Sequence, residues 1–286
     1  MPLVYTAQVA VRHHELDAWG RVYPAAHLRT MAEVAVEASA AAGFGPAWYG
    51  ALGAHWIVRR TRARFLQPVG RAATCEVRTW VADFRRVRSR RCYEVRVDGS
   101  LVVEADSDWV LIDVASGRPR RIPAEVERAF DAPAGAASAP REAWDETLPP
   151  VAPRRSAAAI RCTDLDSLAH VNNAAYLDVL TEATLAPLAA AGWGIERLRS
   201  RGVAPFVTET DLEYLDAVVW GDALEVVTWM APAPRGLTVV QHLVAPNGTT
   251  PHVRARTHWA WHAVASGTSV EPPADLAAAL SELAAA

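Results

Sequence analysis

The feature that most constrains this chain is a repeat. Shifting the sequence by 149 positions places Asp17 under Asp166, Val22 under Val171, Leu28 under Leu177 and Glu33 under Glu182. The same shift, without a gap, sets Glu76-Val77-Arg78-Thr79-Trp80 under Glu225-Val226-Val227-Thr228-Trp229. One further inserted residue brings Trp109 under Trp259 and Ala115-Ser116-Gly117 under Ala265-Ser266-Gly267. A register kept over that distance marks duplication of one unit. The period is too long for a solenoid and fits two homologous domains. We expect an N-terminal domain over residues 1–130, an Ala/Pro-rich linker over 131–153 and a C-terminal domain over 154–286. The 286 residues, 51% of them hydrophobic, can supply two cores.

Each unit reads as one helix followed by strands. Pro24 stands where a first helical turn tolerates proline. Leu28, Met31, Ala35, Ala38 and Ala42 follow at helical spacing, with Val34 and Val36 on other faces, which predicts a buried helix ended by Gly43 and Gly45. Strands are predicted over residues 55–69, 73–83, 87–97 and 100–114, with Asp98-Gly99 as a tight hairpin. In the second unit a helix is expected from about Asn173 to Ala186, stopped or kinked by Pro187. Strands then follow near 205–218, 223–230, 237–245 and 253–263, and a terminal helix near 273–285. Helices segregated from antiparallel strands define an α+β class.

The chemistry concentrates in Cys162–Glu182, CTDLDSLAHVNNAAYLDVLTE, and in its counterpart after Asp17. An acid (Asp166), an imidazole (His170) and two amides (Asn172, Asn173) converge where a helix begins. Free N–H groups and a positive dipole end there favour a developing oxyanion. Taken singly, Asp166 also reads as a turn residue and the asparagines as N-caps.

Ten residues, Asp164-Leu165-Asp166-Ser167-Leu168-Ala169-His170-Val171-Asn172-Asn173, resemble the signature loop of hotdog-fold thioesterases. The similarity is closest to the second half of plant acyl-carrier-protein thioesterases, which are tandem hotdogs. The first-half loop, Asp17-Ala18-Trp19-Gly20-Arg21-Val22-Tyr23-Pro24, resembles that of the 4-hydroxybenzoyl-CoA thioesterase superfamily. The resemblance implies two hotdog domains, each a curved antiparallel sheet wrapped round a central helix, packed as a pseudo-dimer. It also implies hydrolysis of an acyl thioester on CoA or an acyl carrier protein, with no cofactor. The loop carboxylates Asp17 and Asp166 would act as nucleophile or general base, with helix N-terminal amides polarising the carbonyl.

His170 is an acid/base candidate beside Asp166, or a histidine bonding the loop backbone; its repeat equivalent is Arg21. Gly20, Val22, Tyr23, Asn172, Asn173 and Tyr176 are expected to support or bind substrate. Glu33 and Glu182 coincide in the repeat and are expected to be anchored by a partner, or to serve as a second acid. Two departures from the plant pattern stand out: Leu168 replaces an asparagine, and Ala217 occupies an acid position, with Asp216 adjacent. A dehydratase or cyclase acting on a carrier-bound intermediate is the alternative enzyme, and a non-catalytic acyl-thioester-binding protein the alternative outside catalysis.

All 29 basic residues are Arg. Arg85, Arg86, Arg88, Arg90, Arg91 and Arg96 form the dense cluster, against a nearly uncharged repeat equivalent around Ala233-Pro234-Arg235. A solvated strand face explains it simply. As a functional feature, Arg86, Arg88 and Arg90 would dock CoA phosphates or an acidic carrier. The net charge of −3 offers no general attraction to nucleic acid or an anionic membrane. No run approaches membrane-spanning length, no signal-peptide pattern opens the chain, and Cys75, Cys92 and Cys162 read as reduced core thiols, so a cytoplasmic protein is expected. The oligomeric expectation is a monomeric pseudo-dimer or a homodimer of it. His258 with His262, and His13-His14, lack convergent partners, so no metal is expected. There is no Gly-x-Ser-x-Gly, Walker loop or dinucleotide fingerprint.

Overall fold

The computed structural model describes residues 3–130, 143–233 and 236–285. The chain divides into two compact units, one of residues 1–16 and 21–144, the other of residues 17–20 and 145–286.

The first unit contains β1 (Tyr5–Ala10), α1 (Pro24–Ala41), α2 (Pro46–Leu52), β2 (Ala54–Phe65), β3 (Thr74–Arg85), β4 (Arg88–Val97), β5 (Ser100–Asp113) and α3 (Ala124–Ala129). Its strands pair antiparallel in the order β1-β3-β4-β5-β2. The second unit contains β6 (Arg154–Ala158), α4 (Ala175–Ala190), α5 (Ile195–Ser200), β7 (Val203–Tyr214), β8 (Leu224–Ala233), β9 (Gly236–Val244), β10 (Pro251–Ala263), β11 (Ser269–Val270) and α6 (Ala274–Ala285). Its order is β6-β8-β9-β10-β7, with β11 on β10. The orders are the same once repeat partners are matched, and α1 packs on β1 and β3 as α4 packs on β6 and β8.

The repeat persists at the level of single pairs. Tyr5 faces Thr79 in the first unit, and Arg154 faces Thr228 in the second. The longest pairing in each unit carries one bulge, at Arg59 between β2 and β5 and at its counterpart Thr208 between β7 and β10. A bulge bends and twists its strand, which is how such a sheet curves round a helix. The Asp98-Gly99 hairpin forms as expected, both residues having positive φ (49° and 77°) between Val97 and Ser100.

Several expectations need correction. Helix α4 continues through Pro187 to Ala190. A proline this close to the helix end removes one ladder bond from the last turn only. Helix α1 is not buried all round: Ala25, Ala26, Leu28, Met31, Val34, Ala35 and Ala38 are buried, while Glu33, Val36 and Glu37 face solvent. The short helices α2 and α5 were not legible, since neither is long enough to show a periodic stripe. Cys162 is exposed and is no core thiol.

The expected linker lies outside the described residues up to Arg141 and Glu142. Its described end is held on β10, where Arg254 Nη1 donates to Glu146 Oε1 at 2.7 Å and Arg256 Nη2 lies 3.1 Å from Asp145 Oδ2. Pro234 and Arg235 of the nearly uncharged connection also lie outside the described residues.

Candidate active site

The two loops share the bonds that shape their turns. In the first, Asp17 Oδ1 accepts the Trp19 N–H at 2.9 Å and its carbonyl accepts Gly20 N–H at 3.0 Å. In the second, Asp166 Oδ1 accepts Leu168 N–H at 2.8 Å and its carbonyl accepts Ala169 N–H at 3.0 Å. An aspartate that bonds its own backbone two residues on stabilises a turn. The turn needs a left-handed residue at its end, supplied by Gly20 (φ 76°) and by Ala169 (φ 58°). Short bridges Leu16–Val22 and Leu165–Val171 close the loops. Val22 N–H donates to Val69 O and Val171 N–H to Val218 O, again in register.

Both aspartates thus cap turns in the loops that precede α1 and α4. The Asp166 Oδ2 atom carries no hydrogen bond to any described residue, and the side chain is half-buried. His170 joins the same turn through its backbone carbonyl, which accepts Asp166 N–H at 2.8 Å. Asn172 is not the N-cap of α4, which is Ala174 without a side-chain cap; its Oδ1 accepts Ala174 N–H at 3.0 Å, an Asx turn leading into the helix. The Asn173 carbonyl accepts the Tyr214 hydroxyl at 3.0 Å. Residues 17–20 group with the second unit, where the Arg199 guanidinium donates to the Ala18 carbonyl. Tyr23 is exposed and its neighbour Val22 is partly buried.

Tyr176 lies in the first turn of α4. It is 4% exposed, and its ring stacks tilted on Tyr214 at 5.7 Å. Burial pushes its phenol up to about 12, with the negative charges of Asp166, Asp216 and Asp222 adding to the shift and a hydrogen bond from the Val218 backbone opposing it. Tyr176 is thus a neutral hydroxyl beside a carboxylate. Asp216, exposed, pairs with His252 Nδ1 at 3.3 Å.

The repeat partner of the Tyr176–Tyr214 pair is His27–Phe65, ring centroids 5.8 Å apart. Sequence reading missed His27, although a polar residue facing Tyr176 across the repeat was a visible signal. Burial lowers its pKa from 6.5 to about 4. As the pH falls, the unfolded chain therefore takes this proton before the folded one does. The associated stability is complete above about pH 6.5 and is lost as pH falls toward 4, by about 3 kcal/mol. Urea unfolding of wild type and His27→Gln across that range should show a shallower acid slope in the variant; parallel slopes would refute the buried neutral imidazole.

Other candidates fall elsewhere. Glu33 and Glu182 are exposed on α1 and α4, so neither needs a buried partner. Arg86 and Arg88 are exposed. Arg90 is not: it is 3% exposed and lies 3.4 Å from Asp108 and 3.6 Å from Asp106, so it cannot reach out to a carrier. Among the described residues no group of three metal-ligating side chains converges.

Comparison with known proteins agrees with this architecture. Residues 2–130 match the acyl-ACP thioesterase N-terminal domain, and residues 160–280 match the thioesterase-like superfamily. A chloroplastic acyl-[acyl-carrier-protein] hydrolase from Cuphea viscosissima is 28% identical over 219 residues, covering 71% of this chain and 48% of that protein. A palmitoyl-acyl carrier protein thioesterase from Cuphea hookeriana is 27% identical over the same extent. The chain spans about half the length of these curated relatives. Among solved structures, a putative oleoyl thioesterase from Lactobacillus plantarum aligns with TM-score 0.78 at 16% identity, covering 95% of this chain and 98% of its own. The 12:0-ACP thioesterase from Umbellularia californica aligns with TM-score 0.72 at 22% identity, covering 90% and 93%. By fold, the chain is a tandem hotdog protein, and each of its two halves matches a thioesterase family model.

Proposed function

We propose that the protein hydrolyses acyl thioesters, with acyl carrier protein as the carrier and Asp166 as the principal reacting carboxylate. The observation that carries this reading is the turn geometry repeated in both loops, with the Asp166 carboxylate half-buried and bonded through Oδ1 alone in the loop that leads into α4. The carrier is chosen because the relatives matched over most of this chain are named for acyl-carrier-protein substrates.

As general base, Asp166 would take a proton from water as that water adds to the thioester carbonyl. As nucleophile, it would add to the carbonyl itself and be released by water. Both routes expel the carrier thiolate, and both use a carboxylate held in a fixed turn. Backbone N–H groups where the helix opens would hold the oxyanion. The neutral Tyr176 hydroxyl and His170 line this region in supporting roles. The exposed Arg86 and Arg88 would meet the acidic carrier.

A panel of acyl-CoAs and acyl carrier proteins, with thiol release as the readout, tests the reading. Release from at least one class, faster from the carrier protein than from CoA at equal acyl group, is expected. Absence of release from every member would refute thioester hydrolysis.

A further inference from the structure

The pair Asp216–His252 has no place in the chemistry above, and the repeat shows that the fold does not require it. Leu215 N–H and Asp216 N–H donate to the His252 carbonyl at 2.8 and 3.0 Å, just past the end of β7. The first unit makes the same two bonds: Leu66 N–H and Gln67 N–H donate to the Val102 carbonyl at 2.8 and 3.4 Å. The backbone junction therefore forms in both units. Its side chains are a glutamine and a valine in the first, a carboxylate and an imidazole in the second.

The junction adjoins the Asp166 loop, within the second unit. Tyr214, the last residue of β7, sends its hydroxyl to the Asn173 carbonyl at 3.0 Å and sets its ring against Tyr176. Two residues beyond Asp216, the Val218 carbonyl accepts Val171 N–H at 3.0 Å. The charges of Asp166 and Asp216 both reach the Tyr176 phenol. His252 Nδ1 is buried and has no aligned hydrogen bond among the described residues, while Asp216 Oδ2 stands 3.3 Å from it. The imidazole is 24% exposed and the Asp216 side chain 74%. A carboxylate at Nδ1 fixes the tautomer and the ring, and leaves Nε2 to exchange a proton. The acyl chain needs an apolar surrounding and its carrier stays in solvent, so the sulfur departs toward the solvent side, where this pair stands.

We infer that His252, oriented by Asp216, protonates the departing sulfur from Nε2. This rests on the thioesterase reading above and adds a catalytic residue to it, with Asp216 as its positioning residue. As the tetrahedral intermediate collapses, the C–S bond breaks and its electron pair goes to sulfur. The Nε2 proton joins that sulfur and gives the free thiol. The neutral imidazole regains a proton from water at its exposed side. The step serves both routes open to Asp166, since each expels the thiolate.

The test compares two thioesters of one acyl group that differ only in the thiol, pantetheine and the far more acidic 4-nitrothiophenol. A basic thiolate needs its proton as it leaves, and an acidic one does not. His252→Gln should lower kcat on the pantetheine thioester by about tenfold or more, less than the usual scale of acid catalysis because a thiolate already leaves fairly well. On the nitrothiophenyl thioester the same variant should stay within about twofold of wild type, which also reports that it is folded. Asp216→Asn, a change at an exposed side chain, should show a smaller loss of the same leaving-group dependence. A residue that only shaped the site would slow both thioesters alike. Equal losses in both variants, or no loss on either substrate, would overturn the role of the pair and leave the thioesterase reading intact. A wild-type protein that cleaves neither thioester would end both.

Discussion

Asp166→Asn should lower thioester turnover by about a hundredfold or more while leaving the protein folded, the scale typical of a lost catalytic acid or base. The substitution separates the two roles the side chain could have. Asparagine retains an oxygen at Oδ1, so it can still accept the Leu168 N–H bond that shapes the turn. What it removes is the charge and the basicity of the oxygen that carries no bond to a described residue. A residue that only capped its turn would therefore tolerate the change, with turnover and melting temperature both near wild type. Asp17→Asn, in a turn of the same geometry, reports whether the first loop also reacts. A loss in kcat that matches the loss in kcat/KM would place the effect in the transition state rather than in binding. If both variants process every substrate at the wild-type rate, a loop carboxylate does not carry the reaction.

How much of this was legible in the sequence depended on the physical range of each signal. The duplication carried most of the fold. One register predicted which strands correspond, and the same offset recovers the Tyr5–Thr79 and Arg154–Thr228 pairs and the bulges at Arg59 and Thr208. The Asp98-Gly99 hairpin was legible because its positive φ angles leave few residue choices. The turn at Asp17 and Asp166 was legible for the same reason, helped by Gly20, although Ala169 shows that the second loop holds that conformation without glycine.

Burial was less legible because residue type does not fix which way a side chain points. Glu33 and Glu182 looked anomalous on apolar helices, but each helix buries only part of its circumference. In the arginine cluster, six similar letters hide three environments. Arg86 and Arg88 are in solvent, Arg90 is in an ion-pair network, and Arg91 is among aromatic rings. The partners that decide between them, Asp106, Asp108 and Phe130, are distant in sequence and become neighbours only through the pairing of β4 with β5 and the return of α3. His27 escaped notice because its role is conspicuous only against Tyr176, its counterpart in the other unit.

Truncating Arg90 should be among the most destabilising single changes in the first unit. Strand pairing sets Arg90 opposite Asp108, and Arg62 opposite Asp106. The Arg90 side chain is 3% exposed and the Asp108 side chain 10%, so this pair is shielded from water. Asp106 also takes Arg62 Nη2 at 3.0 Å, which makes the group a network rather than a lone bridge. Arg90→Ala removes the cation that both carboxylates face and leaves their charge in a poorly solvated place, at a cost of about 3–5 kcal/mol. Arg88→Ala, on the same strand but exposed, should change stability by no more than about 0.5 kcal/mol. Under the proposed docking role, Arg88→Ala should instead show a salt-sensitive rise in KM for the carrier with kcat unchanged. Urea midpoints at constant slope measure the stability difference. Replacing Arg90 and Asp108 together by Met and Leu should recover much of the loss, because an apolar pair of similar volume carries no unmatched charge. An Arg90→Ala protein as stable as wild type, with a raised KM for the carrier, would return Arg90 to the docking surface and overturn its structural assignment.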